Sequence, residues 1–354
     1  MRLTRGAAAK RIEDYENEIL HADTVFRAEY EANACPRISY REFNLICLIG
    51  QGGFGRVYRG IRMENGIEKA YAVKIQVKDY LREGNRLQRA INEKKIHYAL
   101  RRSRFIVKLF WTCRALSKIY MITEYAQHGD LGQICRTGPL KETTAKEVLG
   151  QVVMGIEYIH ACNVIHRDLK LANILIFGRG HAKITDFGLA IRGSDDMLRR
   201  AGTPGFIAPE LLKEEYSLVT EAADWWSLGV VMFMILLGSH PFYEGELNDD
   251  RGINEAVRRN QLRDMGMVTP AARAMIIQFL EENPERRLGV TRARVSDVQK
   301  HPWFSPDVDF SRFLSDDFEI PQDFEKDPPV HPVTPSAHEF SGEDDGAEAE
   351  FNDF

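Results

Sequence analysis

Cysteine is scarce in this chain. Cys35, Cys47, Cys113, Cys135 and Cys162 are the only five in 354 residues, and no two stand at CxxC spacing. So sparse and odd a set excludes a disulfide-framed secreted scaffold and points to a reduced intracellular compartment, most simply the cytoplasm. Long apolar runs are also missing. The longest, residues 229–238 (GVVMFMILLG), falls well short of the roughly 20 residues that span a bilayer, so no transmembrane segment is expected and the run reads as a buried helix. The N-terminus is basic but has no apolar centre, so no secretory signal is expected there. Arg2 stands where N-myristoylation requires glycine. No basic run carries interleaved aromatics, so nucleic acid is not an expected partner. No segment repeats.

What is present suits a sizeable core, since 44% of the residues are hydrophobic. The charge is uneven. Residues 305–354 hold fifteen Asp/Glu against two Lys/Arg, which leaves the rest of the chain net basic although the total is −5. A basic body fits an anionic ligand. Residues 9–31 place Ile12, Tyr15, Ile19 and Phe26 at near-helical spacing, an amphipathic helix outside the main domain that Pro36 should break. A short apolar run over 43–49 precedes a glycine cluster, and 54–60 and 70–76 alternate as strands do. Residues 86–100 read as a charged helix, and the pattern is mostly helical from about 143, with a loop-rich stretch over 161–210. A strand-rich front and a helix-rich back make an α+β layout. Beyond 304 the prolines Pro306, Pro321, Pro328, Pro329, Pro332 and Pro335 and a run of acids mark a tail, either disordered or laid over the body.

The chemistry sits in an ordered series of short motifs. Gly50-Gln51-Gly52-Gly53-Phe54-Gly55-Arg56-Val57 is a glycine-rich turn of the kind that lets backbone N–H groups approach phosphates, although alone it could be a flexible turn. Lys74 follows on a strand among apolar neighbours and needs a counter-charge, because a lone buried ammonium is costly. Glu93, nineteen residues on in a helical pattern, can supply it. Next comes His166-Arg167-Asp168-Leu169-Lys170-Leu171-Ala172-Asn173. Asp168 can accept a hydroxyl proton, Lys170 can neutralise a phosphoryl group in transfer, and Asn173 offers an oxygen of the kind Mg²⁺ takes. Asp186, in Asp186-Phe187-Gly188, adds a carboxylate oxygen, and Ala208-Pro209-Glu210 closes the series. Any one triplet occurs by chance; all of them in this order do not.

Over residues 43–304 the chain resembles the eukaryotic protein kinase family, of which these motifs in this order are characteristic. Lys170 and Gly202-Thr203-Pro204 resemble the serine/threonine branch. Asp224-Trp225-Trp226-Ser227-Leu228-Gly229, residues 283–289 (NPERRLG) and His301-Pro302-Trp303-Phe304 resemble the AGC group, with the receptor kinases and the cAMP-dependent kinase catalytic subunit as the nearest likenesses. The resemblance implies a bilobal fold: a small antiparallel β-sheet lobe with one helix over about 43–123, and a larger, mostly helical lobe over about 127–304. An N-terminal helical extension (1–42) and an AGC-type acidic tail (305–354) flank it.

The same resemblance implies a site. Ile49, Gly50, Gln51, Gly52, Gly53, Phe54, Gly55 and Val57 roof ATP, Val57 and Ala72 lie above the adenine and Leu175 below it. Glu124 and Ala126 meet its edge, Thr123 is the gatekeeper and Asp130 holds the ribose. Lys74, Glu93, Asp168 and Lys170 are catalytic, and Asn173 and Asp186 hold Mg²⁺ or Mn²⁺. Gly202, Thr203 and Pro204 position the substrate. Asp224 braces the catalytic loop, and Glu210 pairs with Arg287. The implied partners are ATP and proteins with Ser/Thr acceptors; no regulatory partner can be named.

Four positions depart from the group. Arg199 replaces the activation-loop threonine whose phosphate Arg167 normally meets. Asp195 and Asp196 could compensate as fixed charges, and Ser194 could instead be a displaced phosphosite. Ala172, Gly205 and Met234 stand where the cAMP-dependent kinase reads substrate arginines with acids, so arginine-rich substrates should not dominate. His97 occupies a usually apolar spine position. Phe351-Asn352-Asp353-Phe354 is either a hydrophobic motif docking on the small lobe or a tether near the ATP site, with the spacing after Pro332 slightly favouring the tether. Against an active serine/threonine kinase stand a pseudokinase scaffold, disfavoured by the full residue set, and a small-molecule kinase, disfavoured by residues 202–210.

Overall fold

The computed structural model describes residues 2–52, 55–193, 201–213, 218–245, 249–266, 268–290, 297–320 and 349–354. Its front is a five-stranded antiparallel sheet, ordered β1-β2-β3-β5-β4, from β1 (Asn44–Gly52), β2 (Gly55–Glu64), β3 (Ile67–Val77), β4 (Leu109–Arg114) and β5 (Lys118–Glu124). Each of the first three strands runs longer than its alternating core, because hairpin pairing carries polar residues into the ladder. The β2–β3 turn is Asn65-Gly66 with φ of 52° and 80°, the two positive values that a tight hairpin demands. Side chains alternate across the sheet. Tyr120 and Ile122 join Tyr40, Phe43, Tyr58, Val73 and Ile75 on one face. Ile119 and Met121 join Leu81, Ala90, Tyr98 and Leu109 on the other. That second face is covered by α2 (Lys78–Arg82) and α3 (Arg86–Leu100).

The back is helical: α4 (Leu131–Cys135), α5 (Glu142–Ala161), α6 (Pro209–Leu212), α7 (Ala222–Leu237), α8 (Asp250–Arg259) and α9 (Pro270–Phe279). Two small ribbons lie at its upper edge, β6 (Val164–Ile165) with β9 (Ile191–Arg192) and β7 (Ile174–Phe177) with β8 (His181–Ile184). The fold is the bilobal α+β arrangement. Most of the 229–238 run lies in α7, which is apolar nearly all round and therefore buried. The helix stops at Gly238, left-handed at φ 72°, whose N–H returns to the Met234 carbonyl at 2.8 Å. Arg287 grips Glu210 through both nitrogens at 2.7 and 2.9 Å beneath this helix, an ion pair sealed from water. No described helix is long and apolar enough to cross a membrane.

The N-terminal helix α1 (Arg2–Ala32) is longer than its periodic stretch and ends at left-handed Asn33, before Pro36. Tyr15, Ile19, Ala22 and Phe26 are buried in the same core as the large lobe, so this helix is packed onto the body and not held apart from it. Polar contacts fix it at both lobes. The Tyr15 hydroxyl lies 3.1 Å from the Met154 carbonyl and 3.2 Å from Glu157 in α5. Glu29 accepts from Arg101 and Arg102 at the end of α3.

The tail is also laid on the body at its described ends. Phe310, Phe313, Phe318 and Ile320 enter the main core. Phe351 and Phe354, 0% and 1% exposed, pack with Leu81, Ala90, Tyr98 and Met121 on the α3 side of the sheet. The cleft between the lobes does not include them. The structure therefore selects small-lobe docking for Phe351–Phe354, against the slight preference for a tether that spacing suggested. Pro321 to Pro335 and the acids up to Glu348 lie outside the described residues.

Candidate active site

Between the lobes lies a cleft of about 620 Å³. Its roof is the β1–β2 hairpin, where Gly50 pairs with Val57 and Gly52 with Gly55. Ile49, Gly50, Gln51, Gly52, Gly55 and Val57 all line it; Gly53 and Phe54, at the turn, lie outside the described residues. Gly55 has a structural requirement of its own. Its φ is +128°, and a Cβ there would sit 2.3 Å from the Ile75 carbonyl oxygen, so only glycine lets the hairpin lie this close to β3.

Ala72, Ala126 and Leu175 give the cleft an apolar lining, with Thr123 among the residues beside them. Glu124 ends β5. Its backbone N–H donates to the Lys108 carbonyl at 3.0 Å, and its carboxylate takes the Lys108 N–H and the Lys183 ammonium. The Ala126 N–H meets no described acceptor, which leaves a donor at the cleft edge. Asp130 caps α4 by accepting the Gln133 N–H at 2.9 Å. Burial raises its pKa, with the backbone donors pulling the other way.

The Lys74 ammonium sits 2.5 Å from Glu93 on α3 and 3.2 Å from Asp186. Burial pushes the Lys74 pKa down, but the Asp186 and Glu93 carboxylates outweigh it and hold the pKa above the ordinary lysine value. Burial pushes Asp186 up; Lys74 outweighs that and holds its pKa below the ordinary aspartate value. Phe187, beside it, is packed between His97 and His166, with ring centroids 5.2 and 5.0 Å away. His97 Nε2 donates to the Val107 carbonyl at 2.7 Å, and burial lowers its pKa to about 4, so a neutral imidazole fills this buried place beside Phe187.

Across the cleft, Asp168 is held from two sides. Lys170 donates to its Oδ2 at 2.8 Å, and the Thr203 hydroxyl donates to its Oδ1 at 2.6 Å. Lys170 also reaches Thr203 at 2.7 Å, which closes a three-residue ring. Gly202 and Pro204 flank Thr203 and make no hydrogen bond of their own to Asp168. The Asn173 amide donates to the Asp168 carbonyl at 2.8 Å and to Oδ2 at 3.2 Å. Its NH₂ is thus spent, and its carbonyl oxygen is the atom left for a cation. Fully buried Asp224 accepts the His166 and Arg167 N–H groups at 2.9 and 2.8 Å, bracing this loop from below. His160 donates to the same carboxylate at 2.8 Å, a brace the sequence reading missed; its only signal was a histidine at the end of a long helix. Arg167 donates to the Leu189 carbonyl at 2.6 Å. Ser194, Asp195, Asp196 and Arg199 lie outside the described residues.

The protein kinase domain family matches residues 43–304. The chain belongs to that family. Similar curated proteins include the eye isozyme of protein kinase C from Drosophila melanogaster, 31% identical over 88% of this chain and 43% of its own length. The cAMP-dependent protein kinase catalytic subunit of Dictyostelium discoideum is 32% identical over 77% of this chain and 41% of its own. The RAC-beta serine/threonine-protein kinase of Rattus norvegicus is 30% identical over 77% of this chain and 56% of its own. All three belong to the AGC group. The chain spans less than half the length of the first two relatives.

In this kinase Thr123 lines the cleft together with Lys74, His97 and Met121, so a small side chain stands beside the part of the cleft that reaches toward α3. Thr123→Met would fill that part. ATP-competitive inhibitors with a group reaching past residue 123 should lose about tenfold or more in affinity, since a bulky side chain forced into a filled site costs 1–3 kcal/mol. Binding curves for the two proteins check this; equal affinities would contradict it.

Proposed function

We propose that this kinase transfers the γ-phosphoryl group of ATP to serine and threonine hydroxyls of protein substrates. The observation that carries the reading is the meeting of two charged clusters at one cleft: Lys74–Glu93–Asp186, which lines it, and Asp168–Lys170–Thr203, which reaches it through Lys170 and through Asn173 bonded to Asp168. Lys74 steadies the phosphates. Asp168, oriented by Lys170 and Thr203, accepts the hydroxyl proton as the new O–P bond forms and the bond to ADP breaks. Lys170 offsets charge on the moving group. Phosphoryl transfer needs mainly such positioning and charge stabilisation. Thr123, Glu124, Ala126, Asp130 and Leu175 hold the nucleoside.

Asn173 and Asp186 are the residues that would hold a divalent cation, Mg²⁺ or Mn²⁺. Two protein oxygens fit an ion that completes its shell with phosphates and waters, and no cluster of three or more His, Cys, Asp or Glu suited to a metal occurs among the described residues. The cation, when bound, neutralises charge on the phosphates. Five free cysteines support work in a reducing intracellular setting, cytoplasmic by the simplest reading.

The test is transfer of label from γ-labelled ATP with Mg²⁺ to a mixed protein substrate, followed by phosphoamino-acid analysis. Phosphoserine and phosphothreonine are expected, falling about 10²-fold or more in Asp168→Asn. Phosphotyrosine alone, or no protein label, would overturn the reading.

A further inference from the structure

We propose that the substrate end of the cleft selects acceptor peptides carrying an acidic side chain, and that Arg136 reads it. The proposal rests on the kinase reading above and names its substrate class.

Arg136 is the C-cap of α4 and lines the cleft with Gln133, Lys170 and Ala172. Gln133 and Arg136 are three residues apart and so share a face of that helix. Arg136 is exposed, and among the described residues its guanidinium makes no ion pair or hydrogen bond, acting only at longer range on the Asp130 carboxylate. The other cations near the acceptor are committed: Lys74 to Glu93 and Asp186, Lys170 to Asp168 and Thr203. Among the described residues Arg136 is thus a positive charge with no direct contact partner, lining a site that must receive a polypeptide.

The positions where the family resemblance puts arginine-reading carboxylates hold none at Ala172, Gly205 and Met234. Gly205 cannot be given one without moving the backbone: its φ is +86°, and a Cβ would lie 2.5 Å from Ile253 Cδ1 and 3.0 Å from His240 Nε2. His240 fixes that conformation by donating from Nε2 to the Gly205 carbonyl at 3.1 Å while its Nδ1 accepts the Phe242 N–H at 3.2 Å. Burial lowers the His240 pKa to about 4, which keeps this tautomer neutral. Met234 packs against the large-lobe core near the end of α7, and the chain after α4 runs along that end: the Leu140 N–H donates to the Ile235 carbonyl at 2.7 Å. Only Asp130 remains, and one of its oxygens is engaged as the α4 N-cap while Arg136 partly offsets its charge.

An incoming arginine therefore meets a like charge with little to attract it, and an incoming glutamate meets a guanidinium that no described residue contacts and that can bind both its oxygens. Exposed charge pairs are individually modest, so the expected discrimination is the difference between one attraction and one repulsion, about tenfold.

The experiment uses the whole chain, Mg-ATP and a synthetic peptide set. Each peptide has one serine, with a single Glu, Ala or Arg placed at each of the positions near it in turn. At one position or more, the Glu peptide should exceed the Arg peptide about tenfold in kcat/KM, with the difference in KM. Arg136→Ala should flatten that ranking, and Arg136→Glu should invert it at the same position. If Arg peptides are preferred or equal throughout, or if the ranking is unmoved in Arg136→Glu, the inference is overturned and the kinase reading stands. If no peptide and no protein is phosphorylated by the wild-type chain, both fall together.

Discussion

Lys74→Met and Asp186→Ala are each expected to lower kcat/KM for protein phosphorylation by about 10²-fold or more, the usual cost of losing an electrostatic stabiliser in a reacting site. The reasoning starts from charge. The Lys74 pKa lies above the ordinary lysine value, because two carboxylates outweigh its burial, so the ammonium is fully charged at any assay pH near neutrality. Methionine keeps the length and apolar stem but leaves Glu93 and Asp186 sharing a buried space with no cation between them. Asp186→Ala instead removes a cation oxygen and one of the two partners of Lys74. Because all three side chains form one cluster, the double variant should fall far short of the product of the single losses. Steady-state kinetics on the three proteins, beside thermal unfolding to confirm that each is folded, gives the answer. Activity within threefold of wild type in either single variant would remove that residue from the site.

The order of motifs makes this cleft legible in the sequence. Glycines before a strand lysine, and an Asp–x–Lys–x–x–Asn run before an Asp-Phe-Gly, are sequence-local signals. The structure brings Lys74, Glu93, Asp168, Asn173 and Asp186 to one place. What was not legible depends on contacts between distant segments. His160 reads as an ordinary helical histidine until it meets Asp224, 64 residues later. The role of Gly205 is hidden until Ile253 and His240 are seen to crowd it. Arg136 draws no attention in a chain with 47 Lys and Arg; it stands out only because the other cleft cations are paired. The helix over residues 9–31 was visible by its period, but periodicity does not say which surface an apolar stripe will cover. The same limit applied to Phe351 and Phe354. Two aromatics three apart announce that something will be buried, not where.

Phe351→Ala with Phe354→Ala is expected to lower stability by about 3 kcal/mol or more and activity with it. Both rings are almost fully buried, and removing one buried phenylalanine commonly costs 3–5 kcal/mol. The pair should cost less than twice that, because once the segment is released its remaining contacts are lost only once. Those contacts are many. Lys78 lies 4.7 Å from the centre of the Phe351 ring, Arg114 donates to the Phe351 carbonyl at 2.8 Å, Thr112 donates to the Phe354 carbonyl oxygen at 3.1 Å, and Lys94 donates to the Asp353 carbonyl. A loss of that size should bring unfolding down by roughly 5 °C in a protein of this length. The link to chemistry runs through α3. Lys94 holds the tail while its neighbour Glu93 holds Lys74, so a released tail leaves Leu81, Tyr98 and Met121 uncovered and α3 less firmly seated. Turnover should fall about tenfold, the effect of about 1.4 kcal/mol on the seated position of Glu93. Lys94→Ala, which cuts the tail contact and leaves both rings in place, should show a smaller fall of the same kind. An unchanged unfolding temperature in the double variant would mean that these two rings do not hold the tail, and an unchanged turnover beside a lowered temperature would separate tail docking from the setting of Glu93.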